Sequence, residues 1–197
     1  MKNTLPLQSH FAALLLLLTA AWQVHAATSI ENDRYKVDIE AGEGTFSVAF
    51  KPSGKTILTA GKLSSKGGTA KTLELDDKNF GEGQGVEITY ADGNRELVAL
   101  YQNLPFVTFR STLRNGSTES VVHKHIPTVS AAVDLGKPPA ALNTLGTGGL
   151  FPPDKNPGSY VFLSVVDPET RSGVVGGWLS HDRGSGVVFS PVENGAA

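Results

Sequence analysis

Apolar and polar residues alternate with a period of two along most of this chain. Tyr35, Val37 and Ile39 alternate with Lys36, Asp38 and Glu40, the pattern of a strand with one buried and one wet face. Gly42–Gly44 turns the chain, and Phe46, Val48 and Phe50 alternate in their turn, which predicts a first hairpin. Pro52-Ser53-Gly54-Lys55 predicts a turn into a strand over Thr56–Ala60. Lys62–Lys71 is polar and glycine-bearing and reads as a mobile loop. Val86–Tyr90 and Glu96–Tyr101 read as strands joined at Asp92-Gly93, a pair that tolerates the positive φ of a tight hairpin turn. Phe106–Asn115 is the longest clean alternation, with Val107, Phe109, Ser111 and Leu113 on one face. After the long irregular excursion Gly146–Pro157 come three more runs, Tyr160–Val166, Gly173–Leu179 and Gly186–Phe189. Asp167-Pro168-Glu169-Thr170 and His181-Asp182-Arg183-Gly184 punctuate them.

No sustained helical stripe follows the first 26 residues, and 22 glycines and 11 prolines leave helices few places to run. The expectation is an all-β fold, an antiparallel β-sandwich over residues 27–197. No strand–helix alternation occurs, which excludes a (β/α)₈ barrel within this stretch. The first 26 residues read instead as an address. Lys2, the apolar stretch Phe11–Ala21 and the small-residue site Val24-His25-Ala26 are the parts of a signal peptide, so export and cleavage after Ala26 are expected. A membrane anchor is the alternative, but the apolar stretch is shorter than the roughly 20 residues a spanning helix needs.

Composition narrows the chemistry. With 18% charged residues and a net charge of -2, the chain has no basic cluster for nucleic acid. The absence of cysteine excludes disulfides, thiolate catalysis and cysteine-based zinc sites. Gly81-Glu82-Gly83-Gln84-Gly85 resembles a phosphate loop, but an alternating strand follows it where a helix is required, so it reads as a flexible loop between strands. Asn115-Gly116-Ser117 is a turn and also a glycosylation sequon. His123 and His125 would share one strand face, yet no adjacent acidic residue completes a metal site, and a polar strand face accounts for them. No metal and no cofactor follows from the sequence.

The densest gathering of able side chains is Trp178, His181, Asp182 and Arg183, the candidate binding residues. Trp178 falls in an apolar strand and so belongs by burial tendency in the core, the alternative being an aromatic platform for a sugar ring. For glycoside hydrolysis two carboxylates about 5–5.5 Å apart would be wanted. The candidates are Asp154, Asp167, Glu169 and Asp182, but Asp167 and Asp182 have turn-forming explanations, sequence places no two of the four at that separation, and no catalytic residue is assigned. A serine hydrolase lacks its nucleophile elbow, since Arg183-Gly184-Ser185-Gly186 has the wrong spacing.

Leu145–Leu150 (LGTGGL), Pro157–Tyr160 (PGSY) and the block Asp167–Phe189 carry a resemblance. A strand ending in Asp-Pro-Glu-Thr-Arg, then Gly-Val-Val-Gly-Gly-Trp-Leu, then His-Asp-Arg-Gly and a further strand resembles the N-terminal β-sandwich region of bacterial α-galactosidase-like glycoside hydrolases, the melibiase clan. It is firmest over Tyr101–Phe189, and its motifs are strand and turn patterns of modest specificity. The resemblance implies a supersandwich-like, non-catalytic domain, whose strand set need not be complete here, in front of a (β/α)₈ barrel bearing two catalytic aspartates. The chain would then be the front fragment of a longer exported glycosidase that meets carbohydrate through that barrel. The competing expectation is a free-standing exported carbohydrate-binding module.

Overall fold

The computed structural model describes residues 27–155, 158–182 and 184–191. The fold is all-β, built of fifteen strands in four antiparallel sheets among the described residues, with two 3-10 turns at Pro139–Ala141 and Pro153–Lys155. The first sheet has the order β1-β2-β3-β4-β9, formed by Thr28–Glu31, Tyr35–Glu40, Thr45–Phe50, Lys55–Lys62 and Ser130–Val133. The second is a meander of β5 (Thr69–Asp77), β6 (Gly81–Thr89), β7 (Arg95–Tyr101) and β8 (Val107–Thr112). These two sheets face each other. Ile30, Val37, Ile39, Phe46 and Val48 from the first meet Val86, Ile88, Val98 and Leu100 from the second in one buried cluster. Alternation sets this up, because the inward residues of β2 and β3 fall opposite one another as Val37↔Val48 and Ile39↔Phe46. Phe46 and Phe109 bridge the sheets with ring centroids 4.9 Å apart.

The two predicted hairpins form at their predicted turns. In the second, the Gly93 N–H donates to the Tyr90 carbonyl with φ at 84°, the conformation that the Asp-Gly pair was expected to supply. The glycine stretch 81–85, expected to be a loop, lies within β6 instead. A Cβ on Gly85 would come within 2.9 Å of both Leu75 and Leu97, and one on Gly83 within 2.4 Å of the Leu100 carbonyl oxygen. Close packing under neighbouring side chains, not mobility, explains these glycines. Lys62–Lys71 is also not a free loop. Lys62 ends β4, Thr69 begins β5, and between them Leu63, Gly67 and Gly68 donate backbone N–H bonds to Gly44, Gly42 and Ala41. The strand expected over Phe106–Asn115 is shorter, ending at Thr112. His123 and His125 lie exposed outside any strand, so the polar strand face proposed for them does not form.

The C-terminal third makes two smaller sheets. In one, the order is β11-β10-β13-β14, from Gly149–Phe151, Asn143–Gly146, Phe162–Asp167 and Ser172–Gly177. The supposedly irregular excursion thus contains the hairpin β10–β11. The other is a ribbon of β12 (Gly158–Tyr160) paired with β15 (Val187–Phe189). Leu142, Leu163 and Val165 form a second core, against which Val133, Leu135 and Val188 pack. The opposite face of the β11-β10-β13-β14 sheet carries the cross-strand row Leu150, Leu145, Ser164 and Val175. Of these, Leu150, Leu145 and Val175 are exposed.

Candidate functional site

The corner between the two small sheets positions the predicted binding residues. The run Tyr160–Val166 reads as one strand, but the chain breaks it at Val161, whose φ is 69°. A β-branched residue there is a conformational outlier, held only because its surroundings require it. Two backbone bonds do so. The Val161 N–H donates to the Gly186 carbonyl at 3.0 Å, and the Trp178 N–H donates to the Val161 carbonyl at 2.9 Å. The corner lets β12 pair with β15 while β13 pairs with β14.

Trp178 therefore lies just beyond β14, which ends at Gly177, and not inside a strand reaching Leu179. It is 38% exposed and absent from both cores, which corrects the expectation that it packs inside. Its indole Nε1–H donates to the Val187 carbonyl at 3.2 Å. Its five-membered ring lies on Gly186, where an added Cβ would fall 2.1 Å from Cγ and 2.2 Å from Cδ1. Only glycine leaves room for the ring in that place. His181 is exposed, and its Nδ1 accepts a long 3.4 Å bond from the Gly186 N–H. An accepting Nδ1 leaves the proton of a neutral imidazole on Nε2. Tyr160, 64% exposed, stands directly opposite Val187 in the ribbon. Two ring side chains, Trp178 and His181, are thus fastened to the two-residue backbone Gly186-Val187. Asp182 is exposed beside them, and Arg183 lies outside the described residues.

Three of the four carboxylates suspected of chemistry, Asp154, Asp167 and Glu169, have structural partners. Asp167 is buried; it accepts the Thr170 hydroxyl at 2.7 Å and the Glu169 N–H at 2.9 Å. The Thr170 hydroxyl, helped by the backbone N–H groups of Glu169 and Thr170 and by the Lys137 charge, outweighs burial and holds this carboxyl below its ordinary range. Glu169 is paired with Lys137 at 2.5 Å and Asp154 with Lys155 at 3.2 Å. No group of three or more metal-ligating side chains occurs among the described residues. No helix among them is long and apolar enough to cross a membrane.

One polar centre escaped the sequence reading. Glu96 is buried between the two large sheets and accepts the Tyr90 hydroxyl at 2.6 Å, the Ser64 N–H at 3.1 Å and the Ser111 hydroxyl at 3.4 Å. Burial first, then the hydrogen bond and charge of Glu96, push the Tyr90 phenol well above its ordinary value. The signal was present, since Glu96 shares its inward parity with Val98 and Leu100. Its partners make it a tie between β7 and the segment after β4. The open groove on the outer face of the first sheet, about 450 Å³, is lined by Asp38, Glu40, Thr45, Ser47 and Lys62 and offers no exposed aromatic floor. Comparison with protein-family models, with curated proteins and with solved structures finds no match.

Proposed function

We propose that this chain is the non-catalytic N-terminal β-sandwich part of an exported α-galactosidase-like glycoside hydrolase. What supports the reading is the block Asp167–Phe189, whose resemblance consists of an ordered set of strands and turns. Asp-Pro-Glu-Thr forms the turn between β13 and β14, Trp178 follows the second strand, and β15 closes the series by pairing with β12. The engagement of Asp154, Asp167 and Glu169 in local pairs and turns fits a domain whose carboxylates serve structure. The leader features at residues 1–26, which lie outside the described residues, support export. The test is turnover of an aryl α-galactoside by the purified chain. None is expected; turnover abolished by Asp182→Asn or Asp167→Asn would overturn the proposal.

One observation favours a second reading, an exported carbohydrate-binding module. Trp178 is neither core nor freely rotating, because its ring is exposed yet hydrogen-bonded in place.

A further inference from the structure

We infer that Trp178, flanked by His181, is a platform that binds a saccharide ring, and that Gly186 is the residue that sets its orientation. The inference deepens the carbohydrate-binding reading and rests on it. The indole spends its only donor inward, on the Val187 carbonyl, and rests its five-membered ring on Gly186. The ring is therefore held before any ligand arrives, so binding costs little side-chain entropy. The side turned from Gly186 is the side that reaches solvent. A flat apolar face, fixed in place and edged by hydrogen-bonding groups, matches a pyranose, which offers an apolar C–H face and hydroxyls around its rim. The edging group is the imidazole of His181, whose Nδ1 is occupied by the Gly186 N–H. Asp182 adds an exposed acceptor in the same turn.

The chain holds two tryptophans, Trp22 and Trp178; Trp22 lies in the expected leader, so in the protein cleaved after Ala26, or in a Trp22→Phe background where the leader is retained, fluorescence reports Trp178 alone. That protein is titrated with methyl α-D-galactopyranoside, melibiose, cellotetraose and xylotetraose, following emission and ligand-observed NMR in parallel. A saturable emission change with at least one probe is expected. Ligand-observed NMR on Trp178→Ala should show affinity for that probe reduced about ten-fold or more, the scale of a lost stacking contact. Trp178→Phe, which keeps a ring, should lie within about three-fold of the parent. Gly186→Ala, whose Cβ would displace the indole while the backbone ladder stays, should weaken binding with an unchanged circular-dichroism spectrum. No saturable response to any probe, or unchanged binding in folded Gly186→Ala, overturns the inference. Either result leaves the glycosidase-sandwich reading standing, since turnover and the gene's coding sequence decide that one.

Discussion

Removing the buried carboxylate at position 96 should be among the most damaging single changes in the domain. Glu96 is only 5% exposed and accepts two well-formed bonds, from the Tyr90 hydroxyl at 2.6 Å and the Ser64 N–H at 3.1 Å, with Ser111 at 3.4 Å as a weak third. A hydrogen bond to a charged group contributes about 1.5–3 kcal/mol, so the two good bonds set a gross scale of about 3–6 kcal/mol. Relief of the cost of burying a charge offsets part of it. The expected loss for Glu96→Ala is about 3–5 kcal/mol, because the buried Tyr90 hydroxyl and the Ser64 N–H lose this acceptor. Tyr90→Phe, which leaves Glu96 its other donors, should cost about 1.5–3 kcal/mol. The double variant should cost less than the sum, because both changes remove the same bond. Urea unfolding of the three variants measures this, and amide exchange at Ser64 should quicken in Glu96→Ala. The phenol adds a pH signature. Its folded value is raised, so both states hold the proton below about pH 10, and above it the unfolded chain releases the proton first. Stability should therefore fall as pH rises past 10, and Tyr90→Phe should flatten that fall. A Glu96→Ala cost under about 1 kcal/mol, or strict additivity, would refute the reasoning.

Three further outcomes are expected. The Asp167 carboxyl is held low, so its contribution is present above its unfolded value near 4 and is lost as pH falls through the lower folded value; thermal melts from pH 6 to 2 should show an acid-side loss that Thr170→Val reduces. Val161→Gly should relieve the positive φ at the sheet corner and leave stability unchanged or higher by about 1 kcal/mol, read by chemical denaturation. Val175 is 68% exposed on an uncharged face, so Val175→Lys should stay within about 0.5 kcal/mol of the parent in denaturation and reduce self-association in static light scattering.

The large sandwich was legible because its signals are local. Val37 and Ile39 alternate cleanly with Lys36, Asp38 and Glu40, and Asp92-Gly93 carries its own turn chemistry. The departures are places where a distant contact decides. Glycine at 83 and 85 weakens a strand by propensity, and its reason lies in Leu75, Leu97 and the Leu100 carbonyl on neighbouring strands. Nothing in Tyr160–Val166 marks Val161 as a corner; Gly186 and Trp178 impose it from 25 and 17 residues away. At the candidate site the same logic misplaces Trp178. An apolar neighbourhood predicts burial, but Gly186 supplies a flat seat at the surface and Val187 a carbonyl, so the indole settles there. Glu96 shows the converse, a charge whose alternation pointed inward and whose partners could not be named from sequence.

The central claim, that this sandwich stands in front of an α-galactosidase-like catalytic domain, is tested most directly by sequencing the gene and its transcript downstream of codon 197. The account predicts an open reading frame running on into alternating strands and helices, with two aspartates at the ends of barrel strands. A stop codon directly after Ala197 in the native transcript, together with saccharide binding by the chain itself, would contradict it and leave the binding module in its place.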